Sequence, residues 1–431
     1  MTNGETLTRV GPGTPMGRLM RQYWVPALLS SEAIADGPPI RLRLLGEDLL
    51  AFRDTSGNVG VVENQCAHRC ASLFFGRNEE NGIRCVYHGW KFDTNGRCLD
   101  APNLPDDSSY REKVRIRAYA TREHLGIVWA YMGDSKDPPD LPKAPALGLD
   151  ANDVSVWCAL RPCNYLQALE GDIDTSHLGF LHGGKVEGDD PAVANRAPEY
   201  HVTDTECGVM YAAYRDTPTG DRNWRFGQFN LPFFTQPPPV PLGQEPALRA
   251  FVPMDDTHTM FFSITSKAHT LSAIDNPAKK TLLGGGPGIS FLYDYLPNTT
   301  DWYGRWRLKQ NIDNDYLIDR EVQKHLSYSG IEGVEIQDMA ISESMGPIVD
   351  RDREHLAPSD IMVVRTRRCL LRAAKELMEQ GKVPPSAQNP DAYRRAWGGF
   401  ANSSTDKNWL EVFEEAVMPA EMRADRPLPA V

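Results

Sequence analysis

The chain has 431 residues, 41% of them hydrophobic and 24% charged, the proportions of a folded globular protein with room for two or three domains. Its 46 basic residues against 58 acidic ones leave a formal net charge of −12, which argues against nucleic acid or an anionic membrane surface as a partner. The N-terminal MTNGETLTRVGPGTPMG has no basic segment followed by an apolar run, and the longest apolar stretch, near LGIVWAYMG (125–133), is far too short to cross a bilayer, so a cytoplasmic location is expected.

In chain order, MGRLMRQYW (16–24) reads as a short amphipathic helix closed by Pro26. From about 39 to 133 the pattern is strand-like, with short apolar runs punctuated by turn residues. GDSKDPPDLPKAPALG (133–148) is Pro-rich and polar, the composition of a linker. Helical spacing follows at 164–182, then strand-like runs at 199–215, 224–231, 248–254 and 258–266, then helical patterns at 301–328 and 359–380. The expected fold class is α+β. An N-terminal helical segment (1–24) precedes a small antiparallel β domain (25–135), a linker (136–148) and a larger mixed domain (149–431) with helices around an antiparallel sheet. GGGPG (284–288) lacks the strand–GxGxxG–helix context of a dinucleotide site and reads as a loop.

Eight cysteines are too few for a dense disulfide framework in a chain this long, so those with a role are expected to be ligands. CAHRCASLFFGRNEENGIRCVYHGW (66–90) pairs Cys66 with His68 and Cys85 with His88. Two cysteines and two histidines suit a structural zinc, but zinc modules usually take like ligands from one loop. Here each loop supplies one thiolate and one imidazole, which suits a two-iron cluster with Cys66 and Cys85 on one iron and His68 and His88 on the other: Rieske ligation. Cys70 and Cys98 are left over. Rieske proteins of the respiratory chain carry a cysteine in each loop and join the two by a disulfide; by that resemblance the second cysteine would stand just before His88, where this chain has Tyr87, so the bridge is not expected and Cys70 is expected to be a packed thiol.

A second group lies in EGDIDTSHLGFLHGG, where His177 and His182 are five residues apart. On one continuous helix their side chains would diverge by about 140°. Gly179 offers a break that lets both face one metal, and Glu170, Asp172 and Asp174 add acidic character. Two histidines need a carboxylate to complete a facial triad for non-haem Fe(II). The segment 333–356 supplies Asp338, Glu343, Asp350 and Asp352, and spacing does not choose among them.

Together these motifs, with PMGRLMRQYWVPALLSSE, NYLQALEGDIDTSH and IQDMAISESMG, resemble the large (alpha) subunits of Rieske non-haem iron aromatic-ring oxygenases, in their phthalate dioxygenase-like branch. The resemblance covers nearly the whole chain and implies that Asp338 is the third iron ligand. It also implies that Asp174 links a cluster histidine of one subunit to an iron histidine of its neighbour in a homotrimer or a multiple of it. Glu170 falls where some members carry a polar residue near the iron. A separate NAD(P)H-dependent reductase or ferredoxin would supply electrons, since no flavin or NAD motif is visible. The expected substrate is an aromatic acid, hydroxylated on the ring or O-demethylated, with Arg225 and Arg249 as candidate substrate contacts. The alternative is N- or O-dealkylation of a non-carboxylated ring compound. An electron-carrying ferredoxin with an attached domain and a zinc-stabilised binding protein are the competing classes.

Overall fold

The computed structural model describes residues 1–105, 109–183, 196–267 and 293–418. GGGPG lies outside the described residues. Two short helices open the chain, Asn3–Thr8 and Pro15–Met20, each started by a threonine whose side chain accepts a backbone N–H of the first turn. The helix read over 16–24 ends at Met20, because Trp24 already belongs to the first strand, Trp24–Leu29. Both helices pack on the long C-terminal helix Ile361–Gln380.

The first strand joins a six-stranded antiparallel sheet in the order Trp24–Leu29, Ile127–Tyr131, Ala118–His124, Val59–Glu63, Glu47–Arg53 and Ile40–Leu44. A small four-stranded sheet, Arg77–Glu79, Gly82–Arg84, Lys91–Phe92 and Cys98–Asp100, stands beside it. Leu50, Phe52, Val62, Leu73, Ile83, Trp90 and Phe92 form a local core between the two sheets, with the Cys66 and Cys85 side chains at its edge.

The larger part is built on an eight-stranded antiparallel sheet. Its order is Val154–Arg161, Thr259–Ser266, Leu248–Pro253, Phe234–Gln236, Asp221–Asn230, Gly208–Asp216 and Glu199–Asp204, with Gly399–Ser404 also pairing to Asp221–Asn230. Thr259–Ser266 is buried along its whole length, as a central strand covered on both faces must be. The helices Tyr165–Asp172 and Val334–Ser344 pack against each other, and the first also packs on the strand Leu248–Pro253.

The helical pattern over 301–328 gives only a 3-10 segment, Ile312–Leu317, and one short helix, Arg320–His325. Asn311 and Asp319 accept backbone N–H groups two and three residues on, so these side chains start turns where the pattern called for a continuous helix.

Glu170 is committed to packing. Arg367 reaches its carboxylate with Nε at 2.6 Å and Nη2 at 2.9 Å, and Arg351 with Nη1 at 3.0 Å. Glu354 shares both arginines. This half-buried four-charge network fastens the helix Tyr165–Asp172 to the helix Ile361–Gln380. Glu170→Ala would leave Arg351 and Arg367 sharing Glu354 alone, so it should cost about 1–3 kcal/mol. A fall in Tm with an unchanged visible spectrum per folded molecule is the expected result.

Candidate metal centres

The two cysteine–histidine loops are built alike. In the first, Cys66 donates its N–H to Ala71 O (2.8 Å) and Cys70 N–H returns to Cys66 O (2.9 Å). In the second, Cys85 N–H reaches Trp90 O (2.8 Å) and Gly89 N–H returns to Cys85 O (3.0 Å). The fourth residue after each cysteine takes a left-handed conformation, Cys70 at φ +57° and Gly89 at φ +78°. Cys70 is therefore exposed in a turn, not a packed thiol, whereas Cys98 is buried. Its position demands a backbone shape that glycine fills without strain.

Cys66 and Cys85 are buried side by side. Burial, together with the neighbouring Cys85, pushes the Cys66 thiol up to about 11. The His68 and His88 rings stand 4.4 Å apart, and His68 stacks on Trp90 at 4.6 Å with an interplanar angle of 10°. His68 Nδ1 is buried with no hydrogen-bond partner among the described residues. Two adjacent thiols, two converging imidazoles and a buried nitrogen with no partner fit a [2Fe–2S] cluster of mixed ligation.

In the second group the chain breaks where both histidines require it. The helix Tyr165–Asp172 stops at Ile173, and one 3-10 turn, His177–Gly179, follows. His177 Nε2 and His182 Nε2 then lie 3.0 Å apart. Asp338 Oδ1, from the middle of Val334–Ser344, lies 3.2 Å from His182 Nε2 and 3.6 Å from His177 Nε2. These three ligand atoms form a facial triad of the kind that holds non-haem Fe(II). Against the effect of burial, His182 and His177 hold the Asp338 carboxyl down at about 2, so it is an anion ready to ligate.

The other three acids point elsewhere. Glu343 accepts from the Tyr316 hydroxyl and lies 3.9 Å from Arg161 Nε, and burial pushes its carboxyl up to about 7. Asp350 is exposed and bonds the Asp352 N–H, and Asp352 is exposed too.

Around the triad, Asp174 Oδ2 lies 3.3 Å from His177 Nδ1, while its Oδ1 accepts the N–H and hydroxyl of Ser176 at 2.6 and 2.7 Å. Arg249 is held by two carboxylates, Asp172 and Glu335. Thr235 lies directly across the strand pair from Arg249 and also donates to Asp172. Arg225 donates from Nε to Thr175 Oγ1 at 3.0 Å. Sequence reasoning passed over Gln337, whose Oε1 lies 2.7 Å from His182 Nδ1. Its place beside Asp338 was the only available signal. Among the described residues no helix is long and apolar enough to cross a membrane.

A mixed-ligand cluster site and a two-histidine, one-carboxylate iron site in one chain define a Rieske-type non-haem iron oxygenase. The Rieske [2Fe-2S] domain model matches residues 23–119, and the LigXa C-terminal domain-like model matches 130–424. The chain is 43% identical to the 3-chlorobenzoate-3,4-dioxygenase oxygenase subunit of Comamonas testosteroni, over 96% of this chain and 98% of that protein. It is 37% identical to the phthalate 4,5-dioxygenase oxygenase subunit of Pseudomonas putida, over 85% and 84%. The fold is shared with dicamba monooxygenase bound to dicamba (TM-score 0.56, 16% identity, 83% of this chain and 98% of that one). The chain thus belongs to the large subunits of Rieske-domain aromatic-ring oxygenases, in the group of the phthalate and chlorobenzoate dioxygenases. This membership excludes the ferredoxin and zinc-protein readings.

If Cys70 only shapes its turn, Cys70→Gly should keep the full Rieske visible spectrum and leave Tm equal or higher, by about 1 kcal/mol of relieved strain. Loss of the spectrum would make Cys70 part of the cluster site.

Proposed function

We propose that the chain is the terminal oxygenase component of a system that dihydroxylates the ring of a benzoate-type aromatic acid. The observation that carries this reading is the near end-to-end likeness to the 3-chlorobenzoate-3,4-dioxygenase subunit, supported by the likeness to the phthalate 4,5-dioxygenase subunit. A second reading, O-demethylation of a methoxylated aromatic acid, is favoured by the 34% identity to the 5,5'-dehydrodivanillate O-demethylase subunit of Sphingobium, over 52% of this chain and 54% of that protein.

In this proposal Cys66, His68, Cys85 and His88 hold the cluster, and His177, His182 and Asp338 hold the iron. When bound, the two groups would supply O2 activation at Fe(II), with electrons from a separate NAD(P)H-dependent reductase or ferredoxin. Asp174 is the polar link: it orients His177 within its own chain and reaches a cluster histidine of the neighbouring subunit in a homotrimer or a multiple of it. For the substrate carboxylate the better candidate is Arg225, hydrogen-bonded to Thr175 two residues before His177. Arg249 already neutralises Asp172 and Glu335, so a substrate anion would have to displace one of them.

The test is a panel with a surrogate reductase: benzoate, 3-chlorobenzoate, phthalate, a methoxybenzoate, and the same rings without the carboxylate. O2 uptake coupled to a cis-diol on the carboxylated rings is the expected result, and formaldehyde release would favour the second reading. Turnover confined to rings without a carboxylate would overturn both.

Asp174→Ala, assayed with Fe(II) in excess so that the triad is filled, should keep the visible spectrum while product formation falls by about 100-fold. Wild-type turnover in this variant would reduce Asp174 to a helix-end acid.

A further inference from the structure

His182 is 2% exposed and Gln337 is 4% exposed, so no solvent competes for the contact between them. Gln337 Nε2 lies 2.7 Å from Ile331 O, and Gln337 Oε1 lies 2.7 Å from His182 Nδ1. The far end of this chain of bonds sets its direction. A backbone carbonyl accepts and never donates, so the amide NH2 must face Ile331 and the amide oxygen must face the imidazole. An acceptor at 2.7 Å requires a hydrogen on Nδ1. The neutral imidazole then carries its free lone pair on Nε2, the atom that faces His177 and Asp338.

We propose that Gln337 is a positioning residue for the mononuclear metal: it locks buried His182 in the one tautomer and ring orientation that presents Nε2 to the iron. The inference rests on the triad and not on the aromatic-acid reading. In the opposite tautomer two lone pairs would face each other across 2.7 Å in a site closed to water, which costs the full penalty of an unmet buried acceptor.

The residue type at this position also matters. Asp172, Glu335 and Asp338 already gather around Arg249, with Arg161 also acting on Glu335 and Asp338, and burial followed by the neighbouring carboxylates pushes Glu335 upward. A carboxamide orients His182 without adding a fourth negative charge. His177, whose side chain is 23% exposed, takes a carboxylate, Asp174, for the corresponding bond. A glutamate carboxylate at 337 would keep an oxygen acceptor for the His182 Nδ1 hydrogen while losing the donor to Ile331 O.

The experiment measures the Fe(II) dissociation constant of the mononuclear site by chelator competition on the cluster-bearing protein, with the visible spectrum and Tm as folding controls. Gln337→Met keeps length and shape but makes neither bond, and its iron affinity should fall about 10–100-fold. Gln337→Glu keeps the acceptor and should stay within about threefold of wild type, well inside the 10–100-fold loss of a missing ligand partner. Wild-type affinity in Gln337→Met would overturn the proposal. So would equal losses in the Met and Glu variants with the folding controls intact, because Gln337 would then merely brace Ile331. If Gln337→Met does not fold, Gln337→Asn decides the point, since it keeps the amide but is one methylene short of His182. Asn is expected to bind iron as weakly as a lost partner would dictate, and wild-type affinity in it would overturn the proposal.

Discussion

The guanidinium of Arg249 lies buried between Asp172 and Glu335, and the geometry of the iron site depends on that bridge. Asp172 ends the helix that leads to His177 and His182, and Glu335 sits one turn before Asp338 on the helix that supplies the carboxylate. The strand Leu248–Pro253 presents Arg249 to both helices at once, and its cross-strand neighbour Thr235 adds a second bond to Asp172. Without the cation, Asp172, Glu335 and Asp338 would crowd together with less positive charge to offset them. With it, the two helices are held at the separation that lets three ligand atoms from distant segments meet, while His182 and His177 keep Asp338 ionised.

The cluster site reaches a similar end by local means. Its ligands lie on two tight loops closed by the same pair of backbone hydrogen bonds, each with a left-handed residue at the same place. Such loops need few long-range contacts to be shaped correctly. They rest on a small core of their own, and the Trp90 ring lies flat on His68. The iron site has no such autonomy, since its ligands come from a 3-10 turn, the bend just after it and a helix more than 150 residues further on.

That difference explains what was legible in the sequence. Ligand pairs within a few residues of each other, Cys66 with His68, Cys85 with His88 and His177 with His182, leave a spacing that chemistry alone interprets. Asp338 left no such mark. It stood among four acids until the resemblance picked it out, and the structure separates it from Glu343 by the direction each faces on one helix. The Arg249–Asp172 and Gln337–His182 contacts join residues 77 and 155 apart and carry no pattern at all. For that reason the sequence offers Arg249 only as one candidate substrate contact and gives no sign of Gln337. Glu170, whose role the sequence left open, faces two arginines, Arg351 and Arg367, that are far from it in sequence. The helical pattern at 301–328 failed because periodicity ignores side chains that bond their own backbone, as Asn311 and Asp319 do.

The two iron histidines also differ in a way that bears on direction. Each donates its Nδ1 hydrogen to a side chain, but the partner of His182 is a neutral amide sealed inside the protein, and the partner of His177 is a carboxylate about a fifth exposed. A charge placed near the surface can meet a second hydrogen-bond donor from outside the chain, whereas a buried amide already bonded at both ends cannot. The site is therefore closed on the His182 side and open to a polar partner on the His177 side. In the proposed assembly that open side is where a neighbouring subunit's cluster histidine would arrive. Gln337 fits the same arrangement, because an amide orients His182 without adding charge beside Arg249, which already serves two acids.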